Sequence, residues 1–355
     1  MKFTKLSLIT VLAVSTMTTI AVAGDTTVGG KAQVYYYTTD GAGTSDLGSN
    51  GTSATGTAVT LDVAHKLSNA ITANFTAVGY THLGDDMGAN KFEASKADGF
   101  FNVANLTGSF GDTTVVAGRQ LLATPMLAGF DWLLAPGSFE AATLVNKSMD
   151  KFTFIASYIN KYRGNNTGDN FVRLADDNYA FSAGYSDVVD ANLWFYNIDA
   201  LNYTQVYGDV SKEFNGVSIS GQGVKTNYDT GLDSTGYGLK VGMALSSVDM
   251  SVAYNHMEDR AAGLLGVDSV YTTSWNSFAS QDVGDSWKVD ASTEIAGVSA
   301  TASYADYETI GSEFDVILGY GLTENTSLDA IYSSTKYAES DTADNALELI
   351  GTYTF

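Results

Sequence analysis

The feature that most constrains this chain is an alternation of apolar and polar residues that continues to its last residue. In the closing stretch LELIGTYTF, one face of an extended chain carries Leu347, Leu349, Gly351, Tyr353 and Phe355. The opposite face carries Glu348, Ile350, Thr352 and Thr354. Chain ends usually fray unless something holds them. A period of two therefore predicts a terminal strand that pairs with another strand of the fold.

The same alternation recurs along the chain, for example in KFTFIASYI, GYGLKVGM and EFDVILGYG. The only two prolines, Pro125 and Pro136, lie in one short stretch, and proline is excluded from central strands. We therefore predict an all-β chain of eighteen strands, with sixteen as the alternative count. The predicted strands span 27–38, 57–67, 71–81, 98–110, 113–119, 139–148, 151–161, 177–186, 190–198, 203–212, 217–226, 236–245, 249–257, 285–295, 298–307, 312–322, 326–335 and 344–355.

The connections between these strands alternate in length. Short turns such as SN, GD, FNG and AG are typical of hairpins, whereas most connections between them are longer and polar. A transmembrane antiparallel β-barrel places its short turns at the periplasmic end and its long loops outside. The pattern predicts such a barrel, with its apolar face toward lipid and its polar face toward a water-filled lumen. The last strand then closes onto the first, which removes the unpaired edge.

The N-terminal residues predict export. Lys2 and Lys5 precede an apolar stretch that ends in Ala21-Val22-Ala23, which is typical of a cleaved signal peptide. An N-terminal membrane anchor is the alternative. We predict a signal peptide over residues 1–23 and one barrel domain over residues 24–355. The chain has no cysteine and a formal net charge of -22, which argues against nucleic acid and suits a surface that meets cations.

The stretch VVAGRQLLATPMLAGFDWLLAPGSFEAATLV, residues 115–145, is the third long loop with its flanking strands. It holds both prolines and Trp132, and it is far less polar than the other loops. We expect this loop to fold into the barrel and narrow its bore, because a wide barrel otherwise leaves an open lumen. The alternative is an exposed loop that contacts another subunit or the membrane.

The motif GRQ-L-x-TP, followed by an Asp and then by P-x-x-F, resembles the OprD-type family of outer-membrane porins. The matching residues are Gly118, Arg119, Gln120, Leu122, Thr124, Pro125, Asp131, Pro136 and Phe139. The resemblance implies an eighteen-stranded barrel whose third loop narrows the pore. The family often has an arginine shortly after that Asp, whereas this chain has DWLLAP. We assign the constriction to Arg119, Gln120, Thr124, Pro125, Asp131, Trp132, Pro136 and Phe139.

Strand parity predicts which charged residues face the lumen. Besides Arg119, the inward set comprises Lys31, Asp62, Lys161, Asp209, Lys240, Lys288, Asp290, Asp315, Asp329 and Glu348. Inward placement is expected because a basic residue on the lipid face costs about 2–4 kcal/mol at the bilayer midplane. Opposed charges across a constriction select solutes by charge. The alternative is that each is a solvated charge of the lumen wall.

Other chemistry finds little support in the sequence. His65, His82 and His256 show no spacing of a catalytic triad, so we do not expect an enzyme. No zinc spacing or phosphate-binding glycine loop is present, and we predict no cofactor. The acidic loops GDDMG and AESDTADN offer carboxylates for weak Ca²⁺ binding, but simple solvation is the alternative.

These features predict an outer-membrane porin that passes small hydrophilic solutes and ions passively, with a preference for cations. A channel selective for small carboxylates, amino acids or peptides is one alternative, and a plugged structural or adhesive barrel is another. The expected partners are outer-membrane lipid and lipopolysaccharide, and the barrel-assembly machinery through Tyr353 and Phe355. A homotrimer is a further expectation.

Overall fold

Eighteen antiparallel strands form one closed barrel. The computed structural model describes residues 19–23, 25–43, 45–83, 98–129, 134–165, 170–266, 269–276 and 282–355. The barrel strands are β1 Thr26–Thr39, β2 Ser53–Lys66, β3 Ile71–His82, β4 Asp98–Phe110, β5 Thr113–Gln120, β6 Ser138–Asn146, β7 Phe152–Arg163, β8 Asn178–Ser186, β9 Asp190–Ile198, β10 Tyr203–Phe214, β11 Val217–Tyr228, β12 Ser234–Leu245, β13 Val248–Glu258, β14 Gly284–Ile295, β15 Val298–Tyr307, β16 Gly311–Gly321, β17 Thr326–Tyr337 and β18 Asp344–Thr354. The predicted strand count of eighteen is confirmed, and all eighteen predicted segments correspond to strands.

The last strand closes the barrel against the first. β18 pairs with β1 from Lys31↔Thr354 to Thr39↔Ala346. The chain end takes part directly, because Gly30 N–H donates to the Phe355 carbonyl at 2.8 Å and Phe355 N–H donates to the Gly30 carbonyl at 3.0 Å. The alternation up to residue 355 therefore reflects strand pairing that continues to the final peptide group. Tyr353 and Phe355 face outward with their rings stacked at 6.4 Å.

Connections differ in length between the two ends of the barrel, as predicted. One end, the turn end, carries connections of two to five residues such as 215–216 and 296–297. Both residues of those two turns have positive φ, namely Asn215 and Gly216, and Ala296 and Gly297. This backbone matches the twist of paired strands, which explains the tight hairpins. The other end, the loop end, carries the third loop (121–137), the fourth loop (164–177) and the seventh loop (259–283).

The two faces of the wall have opposite chemistry. Outward residues form a band of exposed apolar side chains, including Val34, Phe75, Phe181, Leu193, Leu239, Val252 and Leu349. Inward residues of the same strands include buried polar groups such as Thr60, Ser157, Gln205, Gln222 and Asn255. An exposed apolar belt around a closed barrel needs a lipid surrounding. Among the described residues, none forms a helix long and apolar enough to cross a membrane.

A short strand, Thr19–Ala23, pairs antiparallel with the beginning of β1. Its last pair is Ala23↔Thr26. The predicted cleavage site follows Ala23, so this strand belongs to the segment that the predicted signal peptide covers. Cleavage itself remains a prediction.

Neighbouring residues in the middle of β12 test the assignment of the two faces. We expect Leu239→Arg to lower the free energy of unfolding by about 2–4 kcal/mol, because its charge enters the lipid belt. The matched change Lys240→Arg keeps a charge on the inward face and should leave that free energy nearly unchanged. Urea unfolding of the barrel in lipid vesicles measures both values. Equal losses for the two variants would contradict the assigned faces.

Candidate pore constriction

The third loop lies inside the barrel and packs against two regions of its wall. Its first half buries Leu122, Met126 and Leu127 in a cluster with inward residues of β6 to β11 and β13, including Phe139, Ile159, Tyr196 and Tyr203. Its second half buries Leu134 and Ala135 against Tyr35, Ala54, Ala58, Val78 and Tyr80 of β1 to β3. The predicted inward fold of this loop is confirmed. Apolar burial on both sides explains why the loop is less polar than its counterparts.

Polar contacts fix the turn that contains the first proline. The Thr124 hydroxyl donates to the Leu127 carbonyl at 2.7 Å and accepts from the Tyr196 hydroxyl at 3.1 Å. Gln120 holds the base of the loop, since its side-chain amide donates to the Ala141 carbonyl at 2.8 Å. These predicted constriction residues are almost fully buried. They therefore position the loop from within, and the surface that solutes meet is formed by other atoms.

The seventh loop also enters the barrel, where it pairs with the third. Leu265–Gly266 forms a parallel strand pair with Leu127–Ala128. Leu265 N–H donates to the Met126 carbonyl at 3.2 Å, and Ser269 N–H donates to the Pro125 carbonyl at 2.8 Å. Sequence reasoning missed this loop. The available signal was the apolar run AAGLLGV at 261–267, which is unusual for an exposed loop.

Beyond this pair, the seventh loop is held by carboxylates of the wall. Trp275 N–H donates to Asp315 at 3.3 Å, and its indole N–H donates to Glu348 at 3.1 Å. Asn276 N–H donates to Glu313 at 2.9 Å. All three carboxylates are 1 % exposed. These hydrogen bonds to buried carboxyl groups attach this end of the loop to β16 and β18.

The middle of the seventh loop contacts the strands between these anchors. Its Thr272 carbonyl accepts from the Tyr307 hydroxyl at 2.5 Å, and its Thr273 carbonyl accepts from Lys288 at 2.9 Å. Burial and the nearby Asp209 carboxylate raise the pKa of Tyr271, so its hydroxyl stays protonated. The loop thus runs along the inner wall from β10 to β18.

Register and burial place the ten predicted inward charges other than Arg119 in three groups. Lys31, Asp62, Lys240, Lys288, Asp290 and Asp329 face inward and keep partial exposure. Asp209, Asp315 and Glu348 also face inward but are buried. Lys161, in the third group, does not face the lumen. The accessible inner wall therefore carries lysines and aspartates together, whereas part of the predicted acidity is enclosed beneath the seventh loop.

The predicted inward orientation of Arg119 and Lys161 is wrong. Arg119 pairs with Glu140, and Glu140 pairs with Lys161 across a β-bulge at Asn160. In β6, Glu140 shares its face with the exposed Leu144, whereas the adjacent Phe139 points inward. The bulge adds one residue to β7 and flips Lys161 outward, a change that strand parity alone cannot reveal. Arg119 lies in β5, where Val116 and Gln120 are buried on the inward face and Arg119 shares the outward face with the exposed Ala117. The predicted parity of this strand is therefore offset by one residue.

Two constriction residues, Asp131 and Trp132, lie outside the described residues. Pro136 is partly exposed and Phe139 is fully buried, with its ring 4.8 Å from that of Tyr162. A basic residue that the sequence analysis missed is Arg163, which is 2 % exposed and places its guanidinium 3.6 Å over the Phe100 ring. It ends β7 beside the third loop, two residues beyond the predicted strand end.

The part of the chain that the structure describes contains no assembled metal site. No group of three or more His, Asp or Glu residues there is arranged to hold a metal ion. The acidic loop GDDMG lies outside the described residues. Weak Ca²⁺ binding by the loops remains a prediction.

Comparison with known proteins shows the fold. No protein-family model matches the chain, and no curated protein matches it. Among solved structures, Acinetobacter baumannii OccAB4 is similar at a TM-score of 0.78 and 15 % identity, covering 94 % of this chain and 98 % of that one. Pseudomonas aeruginosa OpdO is similar at a TM-score of 0.78 and 14 % identity, covering 93 % of this chain and 97 % of that one. Pseudomonas aeruginosa OpdK with vanillate is similar at a TM-score of 0.75 and 15 % identity, covering 93 % of this chain and 98 % of that one.

These structures are OprD-family outer-membrane porins, which are channels and not enzymes. The resemblance predicted from the GRQ-L-x-TP motif is therefore confirmed at the level of the fold. The apolar belt and the closed barrel agree with this architecture, so the chain has the fold of a transmembrane β-barrel.

The pairing of the two inner loops can be tested by crosslinking, because the chain has no native cysteine. Leu127 and Leu265 are register partners, so we expect Leu127→Cys/Leu265→Cys to form a disulfide on oxidation. The control pair Leu127→Cys/Leu245→Cys joins the third loop to the turn end of β12 and should not react. Peptide mass spectrometry detects the link. Equal yields from both pairs would contradict the loop pairing.

Proposed function

We propose that the protein is an outer-membrane channel for small hydrophilic solutes, with selection at a constriction built by the third and seventh loops. The observation that carries this proposal is the pairing of the two loops inside a closed barrel, at Leu127–Ala128 and Leu265–Gly266. The accessible lysines and aspartates of the inner wall would line a path for water and solutes beside these loops. A narrowed path forces each solute close to wall charges, which favours substrate selection over unrestricted diffusion.

The accessible charges support a mild preference rather than a strong one. Lys240 and Lys288 lie on β12 and β14, separated by Ala253 of β13 in the same register. Asp290 lies two residues beyond Lys288, with their charged atoms 3.2 Å apart, and Asp329 faces the lumen from β17. A solute therefore meets both signs of charge within a short distance. We infer a cation preference weaker than the net charge of -22 suggests, because Glu313, Asp315 and Glu348 are enclosed.

This mixed surface suits small solutes that themselves carry charge. The similar OpdK structure contains vanillate, an aromatic carboxylate. In this chain a solute carboxylate would meet Lys240, for which the described residues provide no ion pair. Small carboxylates and amino acids are thus the substrate classes that we favour. A plugged structural barrel is the alternative, and ion conduction distinguishes it from a channel.

Ion selectivity tests which charged residues face the lumen. In a salt gradient across a planar bilayer, Lys240→Gln should raise the cation-to-anion permeability ratio at least about twofold, since one unit charge within a Debye length acts on every passing ion. Asp329→Asn should lower the ratio by a similar factor. Lys225→Gln, on the outward face of β11, serves as the control and should change nothing. Identical reversal potentials for all three variants would contradict the assigned lumen.

Single-channel conductance tests whether the third loop limits the flow of ions. Removing residues 121–137, with a short glycine linker in their place, should raise the conductance because the loop occupies the lumen. Removing residues 338–343, a connection between β17 and β18 at the loop end, is the matched control. A conductance that stays unchanged after the first deletion would show that the third loop does not limit the flow of ions.

A further inference from the structure

A groove of about 330 Å³ lies on the lipid-facing side of β5 to β8. Its floor contains the small side chains Ala142 and Ala156, and its borders contain Leu144, Tyr158 and Phe181. Leu144, Tyr158 and Phe181 are 41–48 % exposed, which places the groove on the outside of the wall. Alanines between large side chains produce a depression in a surface that is otherwise convex. An acyl chain has the apolar chemistry to fill it.

A basic cluster lies directly above this groove. The groove rows are Val115↔Leu144↔Ala156 and Ala117↔Ala142↔Tyr158, and the next outward row along the same strands is Arg119↔Glu140↔Lys161. Two residues of a strand advance about 7 Å, so the charges begin one side-chain row beyond the apolar floor. The fourth loop adds Arg173, which pairs with Lys161 in register and is exposed.

Contacts within the cluster orient its cations but leave some of their N–H groups available for an anion. The Arg119 guanidinium lies 4.2 Å from the centre of the Phe171 ring and donates to the Phe101 carbonyl at 3.0 Å. Glu140 accepts from Lys161 at 3.1 Å and lies 3.9 Å from Arg119. Glu140 thus lies among three cations, and a second carboxylate, Asp177, accepts from the hydroxyl of the groove residue Tyr158 at 3.4 Å. A guanidinium has five N–H groups, so Arg119 keeps donors for an anion.

We propose that this surface binds an anionic lipid of the surrounding leaflet, with an acyl chain in the groove and a phosphate on Arg119, Lys161 and Arg173. The charge balance of the chain supports this assignment. Only 18 residues are Lys or Arg against 40 Asp or Glu, so three cations with two carboxylates form a region of reversed charge balance in this acidic protein. Arg is well suited to phosphate, which it binds through two parallel N–H groups.

A second copy of the chain is the competing occupant of an outward apolar surface. Such a contact has no use for a cluster with an excess of positive charge unless the partner supplies acidic residues there. A phosphate-bearing lipid supplies both the apolar chain and the anion, in the same order that the wall presents them. The position at the loop end of β5 to β7 is where a headgroup meets the barrel, since the hydrocarbon belt lies nearer the strand centres.

Native mass spectrometry of the full detergent-purified barrel tests the proposal, with diphosphorylated lipid A as the probe. We expect the triple variant Arg119→Gln/Lys161→Gln/Arg173→Gln to bind it at least about tenfold more weakly, because several charge-assisted hydrogen bonds are lost. The control Lys225→Gln removes an outward cation of β11 that has no groove beside it and should bind normally. Dephosphorylated lipid A should bind wild type and triple variant equally. Unchanged binding of the diphosphorylated probe by the triple variant would overturn the phosphate assignment.

A second variant, Ala156→Phe, fills the groove but leaves the cations in place. We expect this variant to bind the lipid A probe at least about fivefold more weakly, because burial of the acyl chain is lost. If it instead dissociates an oligomer and leaves lipid binding intact, the groove is a subunit contact and the proposal fails. Resistance of the folded band to unfolding in detergent confirms that each variant is a barrel.

The inference rests on the proposed function only in placing the barrel in a membrane. Conductance of the same variants distinguishes a failure of the lipid site from a failure of the channel. All changed residues lie on the outer face, so these variants should conduct as the wild type does. A wild-type barrel that binds lipid A but conducts no ions would refute the channel and leave the lipid site standing.

Discussion

Everything in this structure depends on the pairing of backbone groups within a wall that has no edge. Inside hydrocarbon, an unpaired N–H or C=O costs several kcal/mol, and a sheet avoids this only by closing on itself. Here β18 meets β1, and the final residue, Phe355, exchanges two backbone hydrogen bonds with Gly30. Closure fixes the register of every strand, and register fixes which side chains contact lipid and which face the lumen.

Most of this wall could be predicted from the sequence because its two determinants are local. Alternation with a period of two marks each strand, and turn residues such as Asn215-Gly216 mark its end. The predicted face is correct for nine of the eleven charged residues that were expected in the lumen, and the two exceptions are Arg119 and Lys161. The predicted orientation of Lys161 was wrong because a bulge at Asn160 adds one residue to the strand. Nothing in the sequence YINKYR indicates that bulge.

The interior was harder to predict because it depends on contacts between distant segments. The third loop could be recognised by its low polarity, since apolar loops need a place to be buried. The seventh loop is attached by Trp275 and Asn276 to Glu313, Asp315 and Glu348, which lie 37 to 73 residues away in the chain. Of these carboxylates, Asp315 and Glu348 were predicted from strand parity to be lumen charges, and Glu313 was not. In the structure they hold a loop, and the charge that remains accessible to solutes is consequently more balanced than the composition.

The proposed function requires a continuous aqueous path across this barrel beside the two inner loops. Single-channel recording of the unmodified protein in a planar bilayer detects such a path. We expect discrete, ion-conducting steps that are smaller than those of a barrel with an unobstructed lumen of eighteen strands. Insertion of folded barrels without any conductance would contradict it, because the two loops would then close the lumen completely.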